Sequence, residues 1–445
     1  MNQPQNANSA ARELDFAACG VPAPLVACLT RTGIASPFPI QSATLPDSLA
    51  GRDLLGRGRT GSGKTLAFAL PMVARLSELP GKTRPGSPRG LILVPTRELA
   101  NQVLATLEPL AEAVNLRATV IFGGVGQGKQ VKALQSGVDI VVATPGRLED
   151  LMQQRHCRLG EVTVTVLDEA DHMADLGFLP VVTRILNQTP RDAQRLLFSA
   201  TLDRGVDGLV KKFLNNHVTH SVDPVEAPVT LMTHHVMTVT AADKNAVTHE
   251  LAAGQGRSVL FTRTKHGAKR LAKQLTSAGV PAVELHGNLS QSARERNLAA
   301  FSSGSVRVLV ATDIAARGIH VDDIELVVHV DPPAEHKAYL HRSGRTARAG
   351  AAGTVVTLAT REQSQEVRAL AKQAGISPTV TAVAPGAPEI ARMRGALAPH
   401  VEPVAIAVEA PARVKPANQP KSSAGGQRPR RHRGRGAGSR GGSPR

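Results

Sequence analysis

Residues 53–76 read DLLGRGRTGSGKTLAFALPMVARL. A short apolar run opens the segment and a long apolar one closes it. Between them lies a glycine-rich stretch that fits G-x-x-x-x-G-K-[ST] from Gly58 to Gly63-Lys64-Thr65. This is a strand, a loop and a helix in the order a phosphate-binding loop requires. A glycine-rich turn that binds nothing is the plainer reading, but the strand before it and the helix after it argue against that. The backbone N–H groups of Arg59, Thr60, Gly61, Ser62 and Gly63 can wrap phosphates, and the helix N-terminus adds a favourable field. Lys64 would then reach the β- and γ-phosphates, and the Thr65 hydroxyl would ligate Mg²⁺.

A second stretch, VTVTVLDEADHMADLGF at 162–178, completes the pattern. Its first six residues predict a strand buried in a sheet, yet three carboxylates follow within four residues. In P-loop folds a second strand brings an acid beside the phosphates, where Mg²⁺ offsets its charge. Asp168 would reach the magnesium through water, and Glu169 would orient or deprotonate the water that attacks the γ-phosphate.

The rest of the chain bounds this reading. At 445 residues, 42% of them hydrophobic, it exceeds one ordinary core. No apolar run reaches 18 residues, and residues 1–16 have no apolar stretch of the secretory type, so neither a membrane span nor a secretory signal is expected. Cys19, Cys28 and Cys157 lack zinc-ligand spacing and read as reduced thiols.

Net charge is +17, of which the segment 410–445 carries +10 and holds no acidic residue. That distribution points to a polyanion partner, nucleic acid before membrane. Nine Phe, one Tyr and no Trp leave little for base-stacking platforms, so nucleic acid would be held by phosphate and sugar.

Alternating strand and helix patterns predict an α/β fold of two tandem parallel sheets, each with helices on both faces. The expected strands of the first half are 54–55, 91–94, 118–121, 140–143, 162–167 and 196–198. Those of the second are 234–239, 259–262, 282–285, 306–311, 326–330 and 354–358. The expected boundaries are a disordered 1–12, a first domain over 13–214, a linker over 215–230 and a second domain over 231–383. A disordered Pro/Ala/Arg/Gly-rich basic tail is expected over 384–445.

At Asp168-Glu169-Ala170-Asp171 the chain resembles the DEAD-box ATP-dependent RNA helicases, in their bacterial form, and the likeness runs from about 16 to 350. Phe16, with GIASPFPIQ at 33–41, resembles the family's adenine-reading Q motif, in which Gln41 pairs with adenine. PTRELA at 95–100, GG at 123–124 and TPGR at 144–147 resemble its RNA-backbone motifs, implying contacts from Arg97, Gly124, Thr144 and Arg147. SAT at 199–201 resembles the motif that couples hydrolysis to unwinding, with Ser199 and Thr201 acting alongside Asp171.

In the second half, HGNLSQSARERNLAAFSSG at 286–304 resembles an RNA-binding Q-x-x-R segment carrying Gln291 and Arg294. ATDIAARGIH at 311–320 resembles motif V, with Thr312 and Arg317 toward RNA or the cleft. YLHRSGRTARAG at 339–350 resembles motif VI, with Arg345 and Arg348 as arginine fingers and His341 linking to the acidic segment. Two positions depart from the family pattern: His320 stands where motif V carries Asp, and Ala347 where motif VI more often carries Gly.

The resemblance implies tandem RecA-like domains, ATP and Mg²⁺ as cofactors, and RNA as partner, with ribosome-assembly or RNA-decay complexes further possibilities. It implies an enzyme that melts short duplexes; the reduced cysteines, the composition and the lack of a targeting segment point to the cytoplasm. An ATP-gated RNA clamp and a DNA-directed translocase stay open as alternatives. The arginine–glycine tail at 426–445 resembles RNA-anchoring tails.

Overall fold

The computed structural model describes residues 15–58, 61–201, 204–222, 232–316, 321, 323–347 and 352–402. Fourteen strands are found among them. The first half has β1 (Leu54–Arg57), β2 (Gly90–Leu93), β3 (Ala118–Ile121), β4 (Ile140–Ala143), β5 (Val164–Leu167), β6 (Gln194–Ser199) and β7 (Val218–Ser221). The second has β8 (Met232–Thr238), β9 (Arg257–Phe261), β10 (Ala282–Leu285), β11 (Val308–Ala311), β12 (Ile324–His329), β13 (Gly353–Ala359) and β14 (Thr379–Ala382).

They form two sheets, in the orders β3-β4-β2-β5-β6-β1-β7 and β10-β11-β9-β12-β13-β8-β14. The second order is the first with every strand number raised by seven. The halves therefore share one topology although no sequence repeat links them. The strand pairs register in parallel. Parallel pairs need crossovers, and the helices between strands cover both faces. That is why β2, β4 and β5 are buried at every position and read as aliphatic runs interrupted only by Gly90 and Thr165.

Two cores lie on the two faces of the first sheet. The helix Lys64–Glu78 is sunk in one of them, with Leu66 through Ala74 and Leu76 all buried. It packs between the sheet and the helices Pro39–Leu49 and Arg97–Glu112, which explains an apolar sequence on nearly every side. Each buried Leu, Val or Phe there contributes about 1.5–3 kcal/mol. The other core joins Leu93, Val141, Leu167 and Leu197 to the helices beneath. The second sheet is sandwiched in the same way.

Two expected boundaries are corrected. The linker was expected at 215–230, but Val218–Ser221 pairs with β1 as an edge strand of the first sheet. Asp53 sets it in place: its carboxylate accepts the N–H of Asn215 at 2.7 Å and that of Arg195 at 2.7 Å, and its carbonyl accepts Val218 N–H. Disorder was expected from 384. Instead Pro388–Arg394 is a helix whose Ile390 is fully buried in the second core. Residues 396–401 then bond back to Ala253, Gln255 and Gly279. Residues 1–12, 223–231 and the basic tail from 403 lie outside the described residues.

Candidate nucleotide and nucleic-acid site

In a parallel sheet all strand C-termini lie along one edge, and that edge is where ligands bind in open α/β folds. The motifs of the first half occupy it. The P-loop follows β1, PTRELA follows β2, TPGR follows β4, the acidic segment follows β5 and SAT begins at the end of β6. β6 lies between β1 and β5, with Arg57 opposite Ser199 and Leu167 opposite Leu197. The tertiary fold thus brings Lys64 to Asp168, whose carboxyl feels the lysine charge.

The P-loop is closed on itself. Lys64 is buried, and its ammonium donates to the Gly58 carbonyl at 2.6 Å. Gly61 and Gly63 take left-handed φ of 87° and 88°. Gln41 is buried, accepting the Phe38 N–H at 2.9 Å and donating to the Gly63 carbonyl at 2.8 Å. Phe16 sits in the first core at 2% exposure, so its ring has no face open to a base. Ser62 and Thr65 are half-buried beside the loop, and Arg59 and Thr60 lie outside the described residues.

Asp168 is fully buried, and burial pushes its carboxyl up to about 7. Its oxygen accepts the Glu169 N–H at 2.9 Å. Glu169 stands at φ 50°, a left-handed backbone that costs an L-residue on the order of 1–2 kcal/mol. That turn starts the helix Ala170–Asp175 and lets Glu169 Oε2 meet His172 Nδ1 at 3.0 Å. Asp171 holds the SAT motif directly. It accepts both the N–H and the hydroxyl of Thr201 at 3.0 Å, while its own N–H donates to Ser199 Oγ at 3.3 Å. The three expected coupling residues of this lobe are therefore one bonded unit.

A cationic track runs beside it. The Arg97 guanidinium lies across Gly124, where φ is 78° and any Cβ would strike its nitrogens. Arg147 donates to the Val125 carbonyl at 3.2 Å from two of its nitrogens. Burial lowers the Arg97 pKa, and the neighbouring Arg294 and Arg147 charges push it the same way. Arg294 and Gln291 come from the second lobe. Arg294 Nε donates to Glu98 Oε1 at 2.8 Å, and Arg97 donates to Gln291 Oε1 at 3.2 Å. Thr144 follows β4 as the N-cap of the helix Pro145–Gln153 and is buried. Glu98 is a residue that motif reading missed, although it lies inside PTRELA.

In the second lobe, Arg345 is buried and its Nε donates to the His341 carbonyl at 3.2 Å. His341 Nδ1 stands 3.9 Å from Asp175 Oδ2 of the first lobe, one turn beyond Asp171. A second missed residue, Arg342, braces this corner. It bonds Asp313 with two nitrogens, one at 2.8 Å, donates to the Asp331 carbonyl at 2.6 Å and lies over the Phe261 ring. Thr312 follows β11 and is half-buried. Arg317, His320 and Arg348 lie outside the described residues. Ala347, at the position where motif VI more often has Gly, takes φ 55°.

Comparison with known proteins agrees with this arrangement. The DEAD/DEAH box helicase family matches residues 38–209, and the helicase conserved C-terminal domain matches 243–350. DEAD-box ATP-dependent RNA helicase 3A, chloroplastic, from Zea mays is 41% identical over 371 residues, 82% of this chain and 49% of that protein. DEAD-box ATP-dependent RNA helicase 20 from Arabidopsis thaliana is 36% identical over 83% of this chain and 75% of that protein. Among solved structures, S. cerevisiae Dbp5 bound to RNA and ADP BeF3 superposes with a TM-score of 0.74 at 30% identity, covering 83% of this chain and 96% of that one. The chain belongs to the DEAD/DEAH box helicase family. It spans about half the length of the maize relatives it matches.

Proposed function

We propose that the chain is an RNA-stimulated ATPase that couples ATP binding and hydrolysis to melting of short RNA duplexes or remodelling of RNA–protein complexes. The observation that carries this reading is the pairing of Arg97 and Glu98 with Gln291 and Arg294. Residues expected to hold RNA on both lobes are already joined to one another. A polyanion laid along that track would contact both lobes at once. The neighbour with RNA and ADP BeF3 bound supports the same reading.

Thr65 and Asp168 would hold Mg²⁺, which when bound neutralises charge on the β- and γ-phosphates. The fit rests on Asp168, a fully buried carboxyl whose anion is disfavoured until a cation stands beside it. Lys64 would exchange the Gly58 carbonyl for the phosphates. Glu169 would orient and deprotonate the attacking water, and Arg345 with Arg348 would meet the charge growing on the γ-phosphate. Arg97, Gly124, Thr144, Arg147, Gln291, Arg294, Thr312 and Arg317 would hold the RNA backbone without reading its sequence. Asp171, Ser199, Thr201 and His341 would tie the state of the nucleotide to the spacing of the lobes. The domain assignment, 13–214 and 231–383 around a linker, becomes one in which the first lobe runs through Ser221 and the second through 402. The working location is the cytoplasm, with RNA-decay or ribosome-assembly complexes as partners. No helix among the described residues is long and apolar enough to cross a membrane.

The test is the ATPase rate with single-stranded RNA, with DNA of the same sequence and with neither. Lys64→Ala and Glu169→Gln serve as controls, and a chain ending at Glu409 is run in parallel. Stimulation by RNA alone, lost in both variants, supports the reading. Equal stimulation by DNA favours a translocase, and stimulation by neither overturns RNA dependence. If RNA stimulates but a labelled short duplex is retained rather than released, the protein is an ATP-gated clamp.

A further inference from the structure

His172 lies on the helix Ala170–Asp175 and is 5% exposed. Its Nδ1 stands 3.0 Å from Glu169 Oε2. Nδ1 must carry a hydrogen, because a lone pair there would face a carboxylate oxygen. The opposite nitrogen, Nε2, is buried and has no hydrogen-bond partner among the described residues. A buried polar atom left unpartnered costs about 1–3 kcal/mol. Leucine or methionine would fill the same space without that cost. Packing alone therefore gives no reason for an imidazole at this position.

Its partner supplies the reason. Glu169 is the residue proposed to orient and deprotonate the attacking water. A glutamate side chain rotates freely unless something holds it, and a base displaced by about 1 Å can lose a factor of about 10² in rate. The flanking carboxylates are committed elsewhere. Asp168 accepts the Glu169 N–H, and Asp171 accepts the N–H groups of Thr201 and His172. None of those bonds reaches the Glu169 carboxylate. The left-handed backbone at Glu169 starts the helix so that the ring three residues on comes round to Oε2.

We propose that His172 is a positioning residue for hydrolysis: its Nδ1–H holds Glu169 Oε2 and so aims the carboxylate at the water that attacks the γ-phosphate. This deepens the ATPase reading and rests on it. In the full chain, His172→Leu should lower the RNA-stimulated kcat roughly 10- to 100-fold. The KM for ATP and the RNA concentration giving half-maximal stimulation should stay unchanged. His172→Asn, whose amide N–H can stand in for Nδ1–H, should recover most of the rate. His172→Gln is as polar but carries its amide at the position of Nε2, and should stay slow. In the Glu169→Gln background no base is left to aim, so adding His172→Leu should lower the residual single-turnover rate no further.

An equal loss in both backgrounds would give His172 a general structural role and overturn the proposal. So would an unchanged kcat in His172→Leu, or a rise in KM that accounts for the whole loss. If melting shows that His172→Leu does not fold, the Asn and Gln variants carry the test, and equal rates in those two overturn it. Where the unsubstituted chain hydrolyses ATP, such results remove only the role of His172. Where it hydrolyses none, the ATPase reading falls and this inference falls with it.

Discussion

The Arg294 guanidinium of the second lobe donates to the Glu98 carboxylate of the first at 2.8 Å, and both side chains are about nine-tenths buried. Burial raises the Glu98 pKa, but hydrogen bonds from Arg294 and Gln291 together with the Arg294 charge outweigh it and hold the carboxyl below its ordinary value. The pair also orders the residues expected to grip RNA, because Gln291 reaches Glu98 at 3.4 Å and accepts from Arg97.

Glu98→Gln leaves the Arg294 charge buried opposite a neutral amide. Breaking one side of a buried pair costs about 3–5 kcal/mol, and separating the lobes relieves that by wetting the arginine. Without ligands, small-angle scattering should report a larger radius of gyration than for the unsubstituted chain. Glu98→Gln combined with Arg294→Met should expand less than Glu98→Gln alone. An expansion as large as that of the single variant would show that the pair does not hold the lobes together.

On the proposed reading Lys64 and Glu169 act at different steps and should fail differently. Lys64→Ala should weaken ATP binding together with turnover. Glu169→Gln should keep ATP affinity and lower the RNA-stimulated rate by about 10²–10⁴, the range of a positioned general base. Equilibrium binding of a fluorescent ATP analogue, set beside single-turnover hydrolysis, separates the two.

The second lobe should be acid-sensitive. His329 is fully buried, its Nδ1 3.0 Å from Thr357 Oγ1 and its ring edge-on to Tyr339. Burial, with the Arg342 and His234 charges, drives its pKa well below the ordinary value. Burial also pushes His234 down to about 4. Both imidazoles stay neutral in the folded lobe while the unfolded chain protonates them near 6.5. Stability is therefore full above about pH 6.5 and falls as pH drops toward 4. Melting temperatures of the full chain at pH 7.5 and pH 5 should show this loss, and His329→Asn should shrink it.

Ala347→Gly should stabilise the protein. Its φ of 55° costs an L-residue on the order of 1–2 kcal/mol, from which glycine's greater unfolded-state freedom removes about 0.4–1 kcal/mol. A net gain of about 0.5–1 kcal/mol corresponds to a melting temperature higher by roughly 2 °C. A lower melting temperature would show that the alanine methyl makes a contact worth more than the strain.

Gly124→Ala should weaken RNA binding. The new methyl lands on the Arg97 guanidinium and the backbone must hold φ 78° with a side chain present. With Arg97 displaced, the slope of log affinity against log salt should fall by about one phosphate contact. An unchanged slope would place Arg97 off the RNA path.

Much of the fold was legible because short motifs with fixed chemistry sit at strand ends. The strands at 118–121, 140–143 and 282–285 end where the aliphatic runs end. β7 and β14 were not legible. They are four-residue edge strands, VTHS and TVTA, with no buried position, held by Asp53 in one case and by pairing to β8 in the other, and too short and too weakly apolar to stand out. The helix Pro388–Arg394 was hidden in a Pro- and Ala-rich stretch because a single buried side chain, Ile390, and a few backbone bonds carry it. Phe16 and Phe38 show the same gap within the site: both lie in the Q-motif region, and only packing reveals that one faces the core and the other the P-loop.

By itself the sequence determined the alternation of strand and helix, the glycine-rich loop from Gly58 to Thr65, and the acidic turn at Asp168 and Glu169. These are local patterns whose chemistry depends on neighbours a few residues away. Only the tertiary structure decided that β6 separates those two motifs, that Asp171 bonds Thr201, and that Glu98 meets Arg294 across 196 positions of chain. Such contacts depend on strand order and crossover packing, which bring together residues that nothing in their own segments marks as partners.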